Sequence, residues 1–255
     1  MLKKYILCII SFSVINAYAS EKLIFAIDLF RHGARTPITV QHAGHNVNGS
    51  GELIAKGMRQ HYQLGVYFRK KYILQHHLLP THFLSTTLYV RSTNYNRTLM
   101  SAESFLLGFY PLGTGPLLSG KPALPHAFQP IPIHTIAESS DKMLLQTKKY
   151  PDLFLLATVR YLQAATDKNS PLRCALFFAH DNTIIPILKA LKTSPDNIPV
   201  PVASDLEITL YQTTQKQYIV HMNFNGKALD SVACPKGVCA LKQFSQFVKR
   251  MNSKN

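Results

Sequence analysis

The sequence predicts a mixed α/β fold, a β-sheet flanked by helices. Two observations predict it. Short apolar runs rich in β-formers alternate with longer segments of helical period through most of the chain. A meander of half-buried strands, alternating apolar and polar, then closes it. Size and composition agree. The 255 residues suit one good-sized domain, and 46% apolar with 16% charged residues is globular composition that excludes wholesale disorder.

Residues 1–19 stand apart from the fold. Lys3 and Lys4 precede the apolar stretch Tyr5 to Ile15, and Ala17-Tyr18-Ala19 is a small-x-small cleavage site. This reads as a secretory signal peptide cut after Ala19, well short of the roughly 20 apolar residues that span a bilayer. The expected location is secreted or periplasmic, with residues 20–255 as the domain. No later segment is long and apolar enough to span, so no stable membrane insertion is expected.

The elements follow in order. Leu23 to Phe30 is an apolar run broken only by Asp28, a buried strand. Leu53 to Tyr72 repeats apolar residues at helical spacing. The run Arg69-Lys70-Lys71 reads as a solvated helix end, where cations suit the dipole. Phe83 to Arg91 is the second strand. Asn94 to Leu107 is a helix with Asn94 as its cap, ended by Gly108 and Pro111. Pro111 to Pro132 is irregular, and residues 111–150 have no clear periodicity. Pro151 to Ala165 is helical, and Arg173 to Ala179 is the third strand. Ile184 to Lys192 is a short helix that tolerates Pro186 in its first turn. Leu206 to Tyr211 and Tyr218 to Phe224 are strands, and Asn225-Gly226 turns the chain into a last short one.

Charge narrows the partner. There are 28 Lys or Arg against 13 Asp or Glu, a net +15, which suits an anionic ligand. Cys234 and Cys239 flank Pro-Lys-Gly-Val, where Pro and Gly help close a tight loop, and a disulfide is expected over half of a zinc site. Cys174 reads as a small buried hydrophobe. His42 and His45 sit among glycines and read as loop, and His76-His77 as surface.

The chemistry gathers at strand ends. Arg31-His32-Gly33-Ala34-Arg35-Thr36-Pro37 follows the first strand directly, Arg91 ends the second, and His180-Asp181 ends the third. In open α/β sheets ligands bind beyond the carboxyl ends of strands. The arginine fork matches phosphate oxygens, and glycine lets backbone approach closely.

These segments resemble the histidine acid phosphatases, the acid-phosphatase and phytase branch of the histidine phosphatase superfamily. Residues 31–37 match its RHGxRxP signature. Arg91 to Ala102 looks like its second arginine segment, and Phe178-Ala179-His180-Asp181-Asn182-Thr183 like its His-Asp motif. Gln129 to His134 and the Cys234–Cys239 tail are also similar, so the likeness runs over most of residues 22–250. It implies a three-layer sandwich. It also implies a cap reduced to about 111–170, because relatives carry a long helical insertion between Arg91 and His180.

The resemblance makes His32 the nucleophile and Asp181 the acid that protonates the leaving oxygen. Arg31, Arg35, Arg91 and His180 would bind phosphate oxygens. It implies no metal and no cofactor, with phosphorylated small molecules as substrates and no nucleic-acid partner. The leading reading is an exported acid phosphatase working through phosphohistidine. An inositol phosphate phosphatase of the phytase kind stays open, although His180-Asp181-Asn182-Thr183 departs from the His-Asp-Thr-Asn of phytases. A weakly active or non-catalytic phosphate-binding relative with a shortened cap stays open too.

Overall fold

The computed structural model describes residues 21–38, 49–193 and 195–252. The expected signal segment, His42 and His45 lie outside the described residues.

The central strand is β1 (Lys22–Arg31). After it come α1 (Ala55–Phe68), β2 (Leu88–Ser92), α2 (Asn96–Phe109) and a small hairpin of β3 (Leu117–Leu118) with β4 (Lys121–Pro122). Then follow α3 (Pro151–Ala164), β5 (Cys174–Ala179) and α4 (Asp181–Ala190). The chain closes with β6 (Asp205–Gln212), β7 (Tyr218–Phe224), β8 (Lys227–Ala228), β9 (Val238–Ala240) and α5 (Leu241–Asn252).

The main sheet runs β2-β5-β1-β6-β7-β8, with β9 also pairing with β7. β5 is parallel to both β1 and β2, whereas β6 and β7 are antiparallel additions. The sheet is therefore mixed, as expected. The parallel trio matters most for the site. Arg31 pairs with Ala179 and Ser92 with Phe178, so the carboxyl ends of β1, β2 and β5 reach one sheet edge.

Strand alternation sorts the core into two layers. Phe25, Ile27 and Leu29 of β1 face α3, α4 and α5, meeting Phe154, Leu155, Ile184, Ile187, Phe244 and Val248. Ala26 and Phe30 face α1 and α2, meeting Phe68, Ala102, Phe105 and Phe109. A register shift between Leu23 and Phe25 turns Leu23 to the α1/α2 side.

Asp28 breaks the apolar run on the α1/α2 side, and the structure accounts for it. Asp28 pairs across the sheet with Glu207. The Tyr72 hydroxyl lies 3.0 Å from Asp28 Oδ1 and 2.8 Å from Glu207 Oε1. Lys71 also pairs with Glu207. Burial, reinforced by Glu207 and Asp205, pushes the Asp28 carboxyl well above its ordinary range.

Several expected boundaries move. Lys71 is no solvated helix end, because α1 continues as a π-helical stretch, Arg69–Gln75, that carries Lys71 onto Glu207. β2 begins at Leu88 rather than Phe83, since a turn closed by the Thr87 amide on the Leu84 carbonyl precedes it. α2 begins at Asn96, and Asn94 does not cap it. The Thr98 hydroxyl instead donates to the Tyr95 carbonyl at 2.9 Å. α4 begins at Asp181, which puts Pro186 inside the helix. α5 is an element the sequence reading missed, although Leu241, Phe244 and Val248 carry its apolar spacing. Cys174 is buried and free, and Cys234 is disulfide-bonded to Cys239.

Candidate active site

The sheet edge holds its chain ends tightly. The His32 amide donates to Ala179 O at 3.0 Å, the Thr93 amide to Phe178 O at 3.0 Å, and the Arg31 amide to Ser204 O at 2.8 Å. The turn after β1 then packs on the start of α1. A Cβ on Gly33 would stand 2.5 Å from Gly57 O, and one on Gly57 would stand 2.2 Å from Ala34 O. The close approach that Gly33 permits is thus to helix backbone. Gln60 Oε1 accepts from the Ala34 amide at 2.9 Å. Ser101 Oγ accepts from the Gly33 amide at 3.1 Å and donates to Arg97 O at 2.6 Å, which joins this turn to α2.

His32 is buried, with Nδ1 2.8 Å from the Gly33 carbonyl. A carbonyl only accepts, so Nδ1 carries the hydrogen and Nε2 keeps its lone pair. Burial, and then the charges of Arg97, Arg31 and Arg35, push the imidazolium down to about 4 against the pull of Gly33 O. The ring is neutral across the ordinary acid range above that value.

His180 stands edge to face with His32, ring centroids 5.5 Å apart. Arg97 Nη2 approaches its Nδ1 at 3.4 Å, and Thr93 Oγ1 lies 3.0 Å from its Nε2. Because a guanidinium only donates, Nδ1 accepts and Nε2–H donates to Thr93. Thr93 Oγ1 continues to Thr98 Oγ1 at 2.8 Å. Burial, then Arg97, His32, Arg31 and Arg35, push His180 down to about 3.

Asp181 begins α4 with its side chain 42% exposed, and its Oδ2 lies 2.6 Å from Arg31 Nη2. Arg35 bonds Thr36 O at 2.9 Å, and its charge reaches both histidines and Arg31. The structure thus brings together His32, His180, Asp181, Arg31 and Arg35.

Arg91 is placed elsewhere. Alternation along β2 turns it to the α3 side, where its charge acts on Tyr161. Its Nη2 pairs with Asp141 Oδ1 at 2.5 Å, and the two residues are 7% and 0% exposed. The largest arginine charges acting on His32 and His180 are those of Arg97, Arg31 and Arg35. Arg97, which the sequence reading passed over, is among them. It stands in the first turn of α2 and lies over the Tyr95 ring at 4.6 Å. Sequence reasoning also missed His61, whose buried Nε2 lies 3.0 Å from Arg31 O and supports the turn from behind. Burial pushes His61 down to about 4.

The family model described as histidine phosphatase superfamily (branch 2) matches residues 38–156. Lysosomal acid phosphatase of Xenopus laevis is 38% identical over 144 residues, 54% of this chain and 32% of the relative. Over these residues the chain is similar to the histidine phosphatase superfamily, branch 2.

Other relatives agree. Human lysosomal acid phosphatase is 35% identical over 49% of this chain and 29% of its own length. Bovine prostatic acid phosphatase is 37% identical over 49% and 32%. The match spans about a third of these curated relatives. Among solved structures, a phytase from Citrobacter braakii superposes with a TM-score of 0.62 at 15% identity, covering 90% of this chain and 98% of that one. A Hafnia alvei phytase in complex with myo-inositol hexakis sulphate gives 0.63 at 13%, covering 92% and 98%. At such identities the likeness is one of fold, and the histidine phosphatase fold is the one this chain adopts. Among the described residues no helix is long and apolar enough to cross a membrane.

Proposed function

We propose that this chain is an exported acid phosphatase that hydrolyses phosphomonoesters through a phosphohistidine on His32. The observation that carries the reading is the state of His32. The ring is neutral, Nδ1 is committed to Gly33 O, and the Nε2 lone pair stands among the charges of Arg31, Arg35 and Arg97. A site that only bound phosphate would have no use for an uncharged, nucleophilic imidazole. A protonated one would bind the anion better.

The reaction divides into two displacements. His32 Nε2 attacks phosphorus and the P–O bond to the leaving group breaks. Asp181 gives its proton to the departing oxygen. The Asp181 carboxylate then takes a proton from water, the water oxygen attacks phosphorus, and the P–N bond breaks to restore neutral His32. Charge spreads over the three equatorial oxygens in each transition state, and fixed cations stabilise it. Arg31, Arg35 and Arg97 supply that clamp in this proposal, with Arg97 taking the place first given to Arg91. The substrates are phosphorylated small molecules, reaching the site past a cap reduced to about residues 111–170. Export rests on the signal sequence at residues 1–19.

Rapid quenching with ³²P-labelled p-nitrophenyl phosphate tests the reading. Label should appear on His32, labile to acid and stable to base, and should be absent from His32→Ala. Turnover without label on His32 would overturn the mechanism, and absence of turnover in the wild type would overturn the activity.

A further inference from the structure

Arg91 and Asp141 are buried together, and the segment after Asp141 supplies a reason. Asp141 Oδ1 accepts from Arg91 Nη2 at 2.5 Å and from the Leu144 amide at 3.0 Å. The Leu144 carbonyl in turn accepts from Thr183 Oγ1 at 2.6 Å. Three residues further on, Thr147 Oγ1 donates to the Asn182 carbonyl at 2.9 Å. Asp141, Leu144, Thr147 and Thr183 are all fully buried.

Pro186 explains why the Asn182 carbonyl is available. In a regular helix the amide of residue 186 would bond the carbonyl of residue 182, and proline has no amide hydrogen. The Thr147 hydroxyl occupies that place. Residues 141–147 therefore clasp the first turn of α4 at two points, Asn182 and Thr183, directly behind Asp181. The other end of this segment is anchored to β2 by Arg91.

We infer that residues 141–147 form a strap, anchored by the Arg91–Asp141 pair, that fixes the first turn of α4 and so positions the acid Asp181. Arg91, Asp141 and Thr147 are positioning residues in this account. They touch neither phosphate nor leaving group. The inference rests on the proposed phosphatase reading for its kinetic consequence, but the strap itself can be read without turnover.

The test uses Asp141→Asn and Thr147→Val in the whole chain. The first removes the partner charge of Arg91. The second deletes one hydroxyl, leaves no unpaired charge, and keeps the question answerable should the first fail to fold. A misplaced acid harms substrates in proportion to their need for a proton at the leaving oxygen. Each variant should lose at least about tenfold more kcat/KM on glycerol phosphate than on p-nitrophenyl phosphate. Amide hydrogen exchange at residues 182–184 should quicken by at least about tenfold relative to the rest of α4. Equal losses on the two substrates, the mark of a merely smaller folded fraction, would overturn the inference. So would unchanged exchange in Thr147→Val. If the wild type hydrolyses neither substrate, the phosphatase reading fails, and hydrogen exchange alone decides the strap.

Discussion

Arg31 and Asp181 are bonded to each other, Nη2 to Oδ2 at 2.6 Å, although the proposed mechanism gives one to the phosphate and the other to the leaving group. The pairing has a consequence. An oxyanion that takes up Arg31 competes with the Asp181 carboxylate for the same cation. Once displaced, that carboxylate faces a new negative charge and has lost its partner, and both changes favour its protonation. Substrate binding would thus load the acid with the proton that it later delivers.

Anion affinity should therefore depend on the charge of Asp181. Sulfate is the suitable probe, because its own charge is constant over the relevant range. Asp181→Asn should bind sulfate about tenfold more tightly at pH 7.5, or about 1.4 kcal/mol. Titration calorimetry on the two proteins at that pH measures the difference. Equal affinities at pH 7.5 would mean that Arg31 and Asp181 do not compete.

The nucleophile and the acid should separate by leaving group. His32→Ala should abolish turnover of every phosphomonoester. Asp181→Ala should be costly on glycerol phosphate, whose alkoxide has a conjugate acid of pKa about 15, and far milder on p-nitrophenyl phosphate, whose phenolate has one of about 7. Steady-state kcat/KM on the two substrates decides it, and equal losses would remove Asp181 from the acid role.

Much of this site was legible because its residues cluster in sequence. Residues 31–37 and 180–181 each follow a short apolar strand, and parallel pairing through β5 brings both to one edge. Arg91 and Arg97 could not be told apart in the same way. Both lie in one segment, and only the facing of β2 and the first turn of α2 separates them. The strap was illegible for another reason. Asp141, Leu144 and Thr147 are held by side-chain and backbone bonds to distant elements, and such bonds leave no period in the sequence. Asp28 was visible only as a break in an apolar run, since its partners Tyr72 and Glu207 are far along the chain.

The two arginines should differ in kind. Arg97→Ala should lower turnover by at least about 10²-fold, as loss of a transition-state cation typically does, and by a similar factor for aryl and alkyl substrates. Arg91→Ala leaves Asp141 as a buried charge without its partner. It should cost on the order of 3–5 kcal/mol of stability. Denaturant unfolding beside kinetics on both substrates makes the comparison. A fully stable Arg91→Ala with a uniform loss of turnover would return Arg91 to the phosphate.

Stability should respond to pH through two opposed sets of buried groups. Burial, assisted by Glu207, pushes Asp205 up to about 7, and Asp28 is raised too. A carboxyl raised in the folded state contributes stability that is complete below its unfolded value of about 3.9 and is lost as pH climbs through the folded value. His32, His61 and His180 act in the other direction. Pushed down to about 4, 4 and 3, they contribute stability that is complete above about 6.5 and is lost as pH falls toward those values. Between pH 5 and 8 the carboxyl contribution can be isolated by substitution. Asp205→Asn removes the titrating group while keeping a polar side chain of similar shape. Relative to wild type, it should gain about 2 kcal/mol of stability on going from pH 5 to pH 8, because the wild type alone must ionise a buried acid over that interval. Urea unfolding at the two pH values reads the difference directly. An identical pH dependence in both proteins would show that Asp205 is already ionised at pH 5, and that its burial beside Glu207 is compensated by some other cation.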